Sequence, residues 1–323
     1  MPDPVLLVTV PAERLPDERL ALVREEAAGY ETVRADAGDP LAGVEAERVE
    51  IVLGRVEPDA LAQMPALRWV QSWSAGVDWL TEAGAELPPG LRVTSASGVH
   101  PVPIAEHVFA VVLALARGLP AHLRAQRDRQ WGADVPGSVF ELAGRRMVLL
   151  GAGEIGARIA RLADAFGVFV TAVRHHPDAD VEGAARVLGT DALLDVLPQA
   201  DLLVVTLPLT DATRGLVGAG ALAALPPNAV VVNVGRGGVI DQGALAAALE
   251  HGRLGGAALD VFEEEPLAQD SPLWGMDNVI VTPHAAGHTP HYADRALAIF
   301  LDNLGRYRRG EELAHAVDLG AGY

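Results

Sequence analysis

The chain contains no cysteine and no lysine among its 323 residues, and only 5% of them are aromatic. Without cysteine there is no disulfide, no thiol nucleophile and no thiolate metal site. All 25 basic residues are therefore arginine, a pattern that reads as coding bias rather than chemistry. Basic charge is scarce as a whole, and 43 acidic residues leave a formal net charge of −18. That balance argues against nucleic acid or an anionic membrane as the main partner. It also repels anionic substrates wherever local arginines do not reverse the field. Long hydrophobic runs are lacking too: the longest, VFAVVLALA (Val108–Ala116), is about half of what a membrane span needs. The opening MPDPVLLVTVPAERLPDE has no basic segment before its short apolar run, so no signal peptide is read there and a cytoplasmic protein is expected.

What is present is apolar bulk. Half of the residues are hydrophobic, enough for a large core, and the length suits two ordinary domains. With aromatics few, Ala, Val, Leu and Gly carry the interior. Short β-branched or Leu-rich runs alternate with Ala-rich helical patterns. VLLVTV, VEIVLG and LRWVQSW read as strands in the first hundred residues, with DERLALVREEAA as a helix between them. From Pro103 a long amphipathic pattern reads as one helix with a bend at Pro120. A second series of strands follows: RMVLLG, FVTAVR, LLVVTLP, AVVVNVG, GAALDVF and VIVTPH. Strands alternating with helices predict parallel sheets covered on both faces.

GAGEIG places Gly151, Gly153 and Gly156 in G-x-G-x-x-G spacing, after a strand and at the start of a helix. In that context the glycines permit a tight turn and a close backbone approach to a dinucleotide pyrophosphate at the helix N-terminus. The next strand ends at Arg174, eighteen residues past Gly156 (174 − 156), near where an acid that binds the ribose is expected. An arginine there suits the 2′-phosphate of NADP instead; the competing reading is a solvated surface arginine. Asp178 and Asp180 lie beyond Pro177, too far round the loop.

Three later strand ends carry chemistry. VNVGRGGVID puts Arg236 after one strand, ALDVFEEEPL puts Asp260 and Glu265 after the next, and VIVTPHAAG puts His284 after the last. Ligands in open α/β sheets bind at such carboxyl ends. A cation for a carboxylate, a proton donor for a carbonyl and an acid that keeps the donor charged are what hydride reduction of a keto acid requires. His284, His288 and His291 are spaced closely enough to suggest a metal cluster, but Pro283, Gly287 and Pro290 disfavour a helical face and no acid completes a ligand set; no metal is expected. His175 and His176 read as a solvated loop leaning on the cofactor phosphate, His107 as a satisfied core histidine, and His100 as a residue at the domain junction, open to facing the substrate. Trp69, Trp73 and Trp79 read as core or pocket wall.

These motifs, with SWSAGVDWL, IAEHVFAVVLALAR, LPLTDATRGLVG and TPHAAG in order, resemble the D-isomer-specific 2-hydroxyacid dehydrogenase family over nearly the whole chain. The resemblance implies a catalytic trio of Arg236, Glu265 and His284, with Asp260 near the nicotinamide carboxamide. It places the substrate at Arg236, His284 and the backbone of Ala75 and Gly76. Gly151, Gly153, Glu154, Ile155 and Gly156 match its cofactor loop, and Leu207, Pro208, Thr213, Val234 and Gly287 match positions lining the cofactor. The implied fold class is α/β: two Rossmann-like, doubly wound parallel-sheet domains with the active site in the cleft between them. Residues 1–98 and 291–323 would form the substrate domain and 99–290 the dinucleotide domain. The family pattern has an acid where this chain has Arg174, so NADP(H) is the expected cofactor, with NAD(H) also open. The ending AVDLGAGY resembles the glyoxylate/hydroxypyruvate reductase branch. A homodimer around the long helix is expected, with a small 2-keto or 2-hydroxy acid as the other partner. The rival is a non-catalytic, dinucleotide-sensing co-repressor-like protein, which nothing in the sequence favours.

Overall fold

The apolar runs form two parallel sheets in a computed structural model that describes residues 2–81, 87–132 and 139–319. The chain divides into two units, Met1–Val99 with Thr289–Tyr323, and His100–His288. Residues 320–323, the end of the AVDLGAGY stretch, lie outside the described residues.

The first unit holds β1 (Val5–Val8), β2 (Glu31–Arg34), β3 (Val49–Leu53), β4 (Trp69–Gln71) and β5 (Arg92–Thr94), in the order β2-β1-β3-β4-β5. Its helices are α1 (Asp17–Glu26), α2 (Pro58–Leu61), α3 (Asp78–Thr81) and the C-terminal helix Tyr292–Arg309. Because side chains alternate across a strand, β1 feeds two cores. Leu6 and Val8 pack with Leu20 and Val23 of α1 and with Leu297, Phe300 and Leu304 of the C-terminal helix. Val5 and Leu7 pack on the other face with Leu61 of α2. Trp69 is core: fully buried, it stacks on Phe300 and Tyr307 at 5.4 Å each.

A buried polar network ties the C-terminal helix to this sheet. Trp69 Nε1 donates to Thr94 Oγ1 at 2.8 Å, and that hydroxyl donates to Gln71 Oε1 at 2.8 Å. Asn303, fully buried, donates to the same Gln71 oxygen and to the Ala314 carbonyl, and accepts from the Ala314 N–H. Removing one member strands the others without water.

The second unit holds β6 (Arg146–Leu150), β7 (Phe169–Val173), β8 (Arg186–Leu188), β9 (Leu202–Val205), β10 (Val230–Asn233), β11 (Gly256–Leu259) and β12 (Val279–Val281). Their order is β12-β11-β10-β9-β6-β7-β8, all parallel. Its helices are α4 (Pro101–Ala116), α5 (Leu119–Arg127), α6 (Glu154–Ala165), α7 (Leu193–Val196), α8 (Ala219–Ala224) and α9 (Gln242–Glu250). Met147, Leu149, Leu202 and Val204 face α4 and α6, while Val148, Leu150, Leu203 and Val205 face α7, α8 and α9. The central strands are buried on both faces, which is why they read as unbroken apolar runs.

The single helix expected from Pro103 is two helices. Gly118, at φ 64, takes the left-handed conformation that a β-carbon penalises, and it ends the first helix. The two axes differ by 71°. Pro120 is not the bend; it sits in the first turn of α5, where a missing N–H costs nothing. Among the described residues no single helix is long and apolar enough to cross a membrane, although this bent pair has the length and composition together.

Asn303→Ala is expected to cost roughly 1–3 kcal/mol, because Gln71 and the Ala314 backbone lose buried partners. Urea unfolding measures it, and a midpoint equal to that of the parent would contradict the network's role.

Candidate active site

The sheet order reverses between β6 and β9: the chain runs outward from β6 to β7 and β8, then returns beside β6 as β9. The crevice at such a reversal is where open α/β sheets bind ligands. The glycine loop lies there, between β6 and α6. Gly151 has φ 101, and a β-carbon on it would stand 2.6 Å from Thr206 Oγ1, the hydroxyl that donates to the Gly151 carbonyl at 2.9 Å. A β-carbon on Gly156 would stand 2.2 Å from the Gly151 carbonyl oxygen, so this glycine sets the close packing of helix on turn. Gly153, the N-cap of the twelve-residue α6, has open space where its side chain would be. One tight turn, one exposed backbone and one close contact are what a dinucleotide pyrophosphate needs of these three positions. The residues present fit the cofactor.

Around the loop, Arg174 follows β7, with its side chain half-buried and its N–H on the Leu188 carbonyl. Among the described residues no acid pairs with its guanidinium. Asp178 and Asp180 are exposed further along. His175 and His176 are exposed as well and face each other, Nδ1 to Nε2 at 3.1 Å. Leu207 and Pro208 follow β9, and Thr213 Oγ1 closes their turn by donating to the Pro208 carbonyl at 2.7 Å. Val234 follows β10 and is buried. Ala75 and Gly76 belong to the first unit, between β4 and α3, where Ser74 Oγ donates to the Gly76 carbonyl at 2.8 Å.

The arginine, acids and histidine singled out in the sequence follow three adjacent strands. His284 Nδ1 lies 2.8 Å from Glu265 Oε2, and Glu265 Oε1 accepts the Phe262 N–H at 3.0 Å. The carboxylate is thus fixed at one oxygen and orients the imidazole with the other, which leaves Nε2 as the nitrogen available to a ligand. Glu263, from the same acidic run, is taken up elsewhere, accepting the Gln242 N–H at the start of α9. Arg236 sits in a loop held by Asn233, a buried residue that accepts the Gly235 N–H and donates to the Arg236 carbonyl. Gly237 permits this loop: a β-carbon there would strike the Phe262 backbone.

Asp260 holds the turn under His284. Its carboxylate, 3% exposed, accepts from Thr282 Oγ1 at 2.5 Å, Ala285 N at 2.8 Å and Ala286 N at 2.9 Å. His284 itself is left-handed, at φ 53, with its N–H on the Asp260 carbonyl. His100 completes the group: a β-carbon on Gly287 would stand 2.7 Å from its ring. Burial first, then the charges of Arg236 and His284, hold the His100 imidazole below the usual histidine range. Sequence reasoning missed Asn233 and Thr282, whose only signal is a polar residue ending an apolar strand. His107, read as a satisfied core histidine, is half-buried on α4 with its Nε2 3.3 Å from Thr282 Oγ1; that partner was not foreseen. Among the described residues no group of three or more His, Asp or Glu is arranged to hold a metal ion.

A cofactor crevice beside a histidine–carboxylate pair and an arginine defines a nicotinamide-dependent oxidoreductase. The family model for D-isomer specific 2-hydroxyacid dehydrogenase, NAD binding domain, matches residues 109–286. A glyoxylate reductase of Aeropyrum pernix is 35% identical over 81% of this chain and 79% of its own length. A D-isomer specific 2-hydroxyacid dehydrogenase of Xanthobacter autotrophicus, solved with NADPH and MES, superposes with a TM-score of 0.86 at 35% identity over the full length of both chains. An NADPH-dependent glyoxylate/hydroxypyruvate reductase of Sinorhizobium meliloti, solved with NADP and sulfate, does so with 0.82 at 29% identity, again over both full lengths. The chain belongs to the D-isomer specific 2-hydroxyacid dehydrogenase family. It is a dehydrogenase of CH–OH donors that uses a nicotinamide dinucleotide.

His284→Ala is expected to lower kcat by about 10²–10⁴ while the dinucleotide still binds, as followed by nicotinamide fluorescence. Undiminished turnover would remove His284 from the chemistry.

Proposed function

We propose that the protein is an NADP(H)-preferring reductase of small 2-keto acids such as glyoxylate or hydroxypyruvate, giving D-2-hydroxy acids. The observation that carries the reading is the His284–Glu265 pair at 2.8 Å, on the strand ends next to the one that carries Arg236. The reduced nicotinamide supplies hydride to the keto carbon. His284, oriented by Glu265, gives a proton to the carbonyl oxygen, and Arg236 holds the carboxylate and polarises the carbonyl. Asp260 orients the carboxamide end of the cofactor. Gly151, Gly153, Glu154, Ile155 and Gly156 hold the pyrophosphate, with Leu207, Pro208, Thr213, Val234 and Gly287 along the rest of the cofactor. The names of the Aeropyrum and Sinorhizobium relatives support the substrate class. A panel of 2-keto acids with NADPH and NADH, followed by nicotinamide absorbance, tests it. Dinucleotide binding with no turnover of any acid would favour a co-repressor-like sensor instead.

The cofactor preference rests on Arg174, a guanidinium at the strand end with no acid partner among the described residues. A charge-assisted hydrogen bond contributes roughly 1.5–3 kcal/mol, so kcat/KM should favour NADPH about ten- to a hundred-fold. Arg174→Asp should reverse the ratio. Equal values for both cofactors in the parent would end the proposal. The assembly we propose is a homodimer in which α4 lies at the contact, and light scattering that returned the mass of one chain would refute it.

A further inference from the structure

We propose that His107 is a positioning residue for the reaction: acting through Thr282 and Asp260, its imidazole fixes the turn that carries His284. The inference rests on the reading of His284 as proton donor.

The donors and acceptors can be counted. Thr282 Oγ1 has one proton, and at 2.5 Å from Asp260 Oδ1 the hydroxyl donates it in a hydrogen bond to the carboxylate. The same oxygen, 3.3 Å from His107 Nε2, can then only accept, so His107 carries its hydrogen on Nε2. The chain of bonds runs one way, from imidazole to hydroxyl to carboxylate. Asp260 also accepts the N–H groups of Ala285 and Ala286, the two residues after His284. An unanchored hydroxyl could rotate away from Asp260, and the turn would lose the tie on its N-terminal side.

The turn needs every tie. His284 stands at φ 53, a conformation that a residue with a β-carbon keeps only when its surroundings enforce it. Its neighbours are bound to Asp260 before and after it: Thr282 by its hydroxyl, Ala285 and Ala286 by their amides. His107 lies on α4 next to Val108 and one turn from Ile104, both buried and apolar. His107 itself is half-buried, at the edge of that apolar face. Its polar ring is explained by the hydroxyl it meets, 175 residues away in sequence.

The test uses the full chain with a 2-keto acid that the parent turns over. His107→Leu should lower kcat about ten-fold with little change in KM for the keto acid, since even a 1 Å misplacement can cost about 10²-fold. In the cofactor-free protein it should lower Tm by roughly 2–4 °C, the shift expected when one hydrogen bond is lost from a domain of this size. Thr282→Val, which also removes the bond to Asp260, should lower both at least as far, and the double variant should be no worse than Thr282→Val alone in either measurement. His107→Gln, which keeps an N–H at similar reach, should bring kcat back to within about two-fold of the parent. Additive losses, a parental kcat in His107→Leu, or equal impairment of the Leu and Gln variants would overturn the proposal. If the Leu variant does not fold, Thr282→Val against the parent decides, and an unchanged kcat there overturns it as well. His284→Ala separates the two claims. If it keeps parental turnover, the donor reading falls. If it is inactive while His107→Leu is normal, only the relay falls.

Discussion

A buried carboxylate without a cation beside it is costly unless its oxygens are filled by donors. Asp260 meets that requirement with one hydroxyl and two backbone amides, all from the turn after β12. The same bonds that stabilise the charge dictate the path of the chain through Thr282, Pro283 and His284. The strain at His284 is thereby supported, and its imidazole is delivered to Glu265 at 2.8 Å. Glu265 in turn depends on β11, the strand that ends just before Asp260. Asp260 thus organises the turn that carries His284, while the Phe262 N–H fixes Glu265.

Arginine placement answers a different constraint. A protein with a net charge of −18 repels the anions that its family acts on, and general surface charge cannot bring them in. Arg236 sits beyond β10 and Arg174 beyond β7, each where the carboxyl end of a strand already favours a ligand. Burial, and after it the charges of Arg236 and His284, hold the His100 imidazole below the usual histidine range.

Much of this was legible from residues alone, for physical reasons. The central strands are buried on both faces, so they appear as apolar runs, and the groups that follow them fall at strand ends by arithmetic. The three glycines of GAGEIG each answer a separate steric demand, which makes the motif readable in context. Three of the four edge strands were missed because ETVR, RVT and RVL are three or four residues long with a charged end, too short for a period to emerge. The break at Gly118 was displaced to Pro120 because proline is the louder signal, while a glycine announces a left-handed turn only once the backbone is seen. Thr282, Asn233 and His107 were beyond reach for another reason: what they do depends on partners brought beside them by the fold.

The central claim is that hydride passes from a nicotinamide dinucleotide to the keto carbon of a small acid on this protein. Reduction of glyoxylate or hydroxypyruvate with NADPH carrying deuterium at C4 of the nicotinamide ring, followed by mass spectrometry of the hydroxy acid, measures that transfer directly. The account predicts one deuterium at C2 of the product from one of the two C4-labelled epimers and none from the other. A product without deuterium from either epimer, or dinucleotide oxidation without any hydroxy acid, would contradict it.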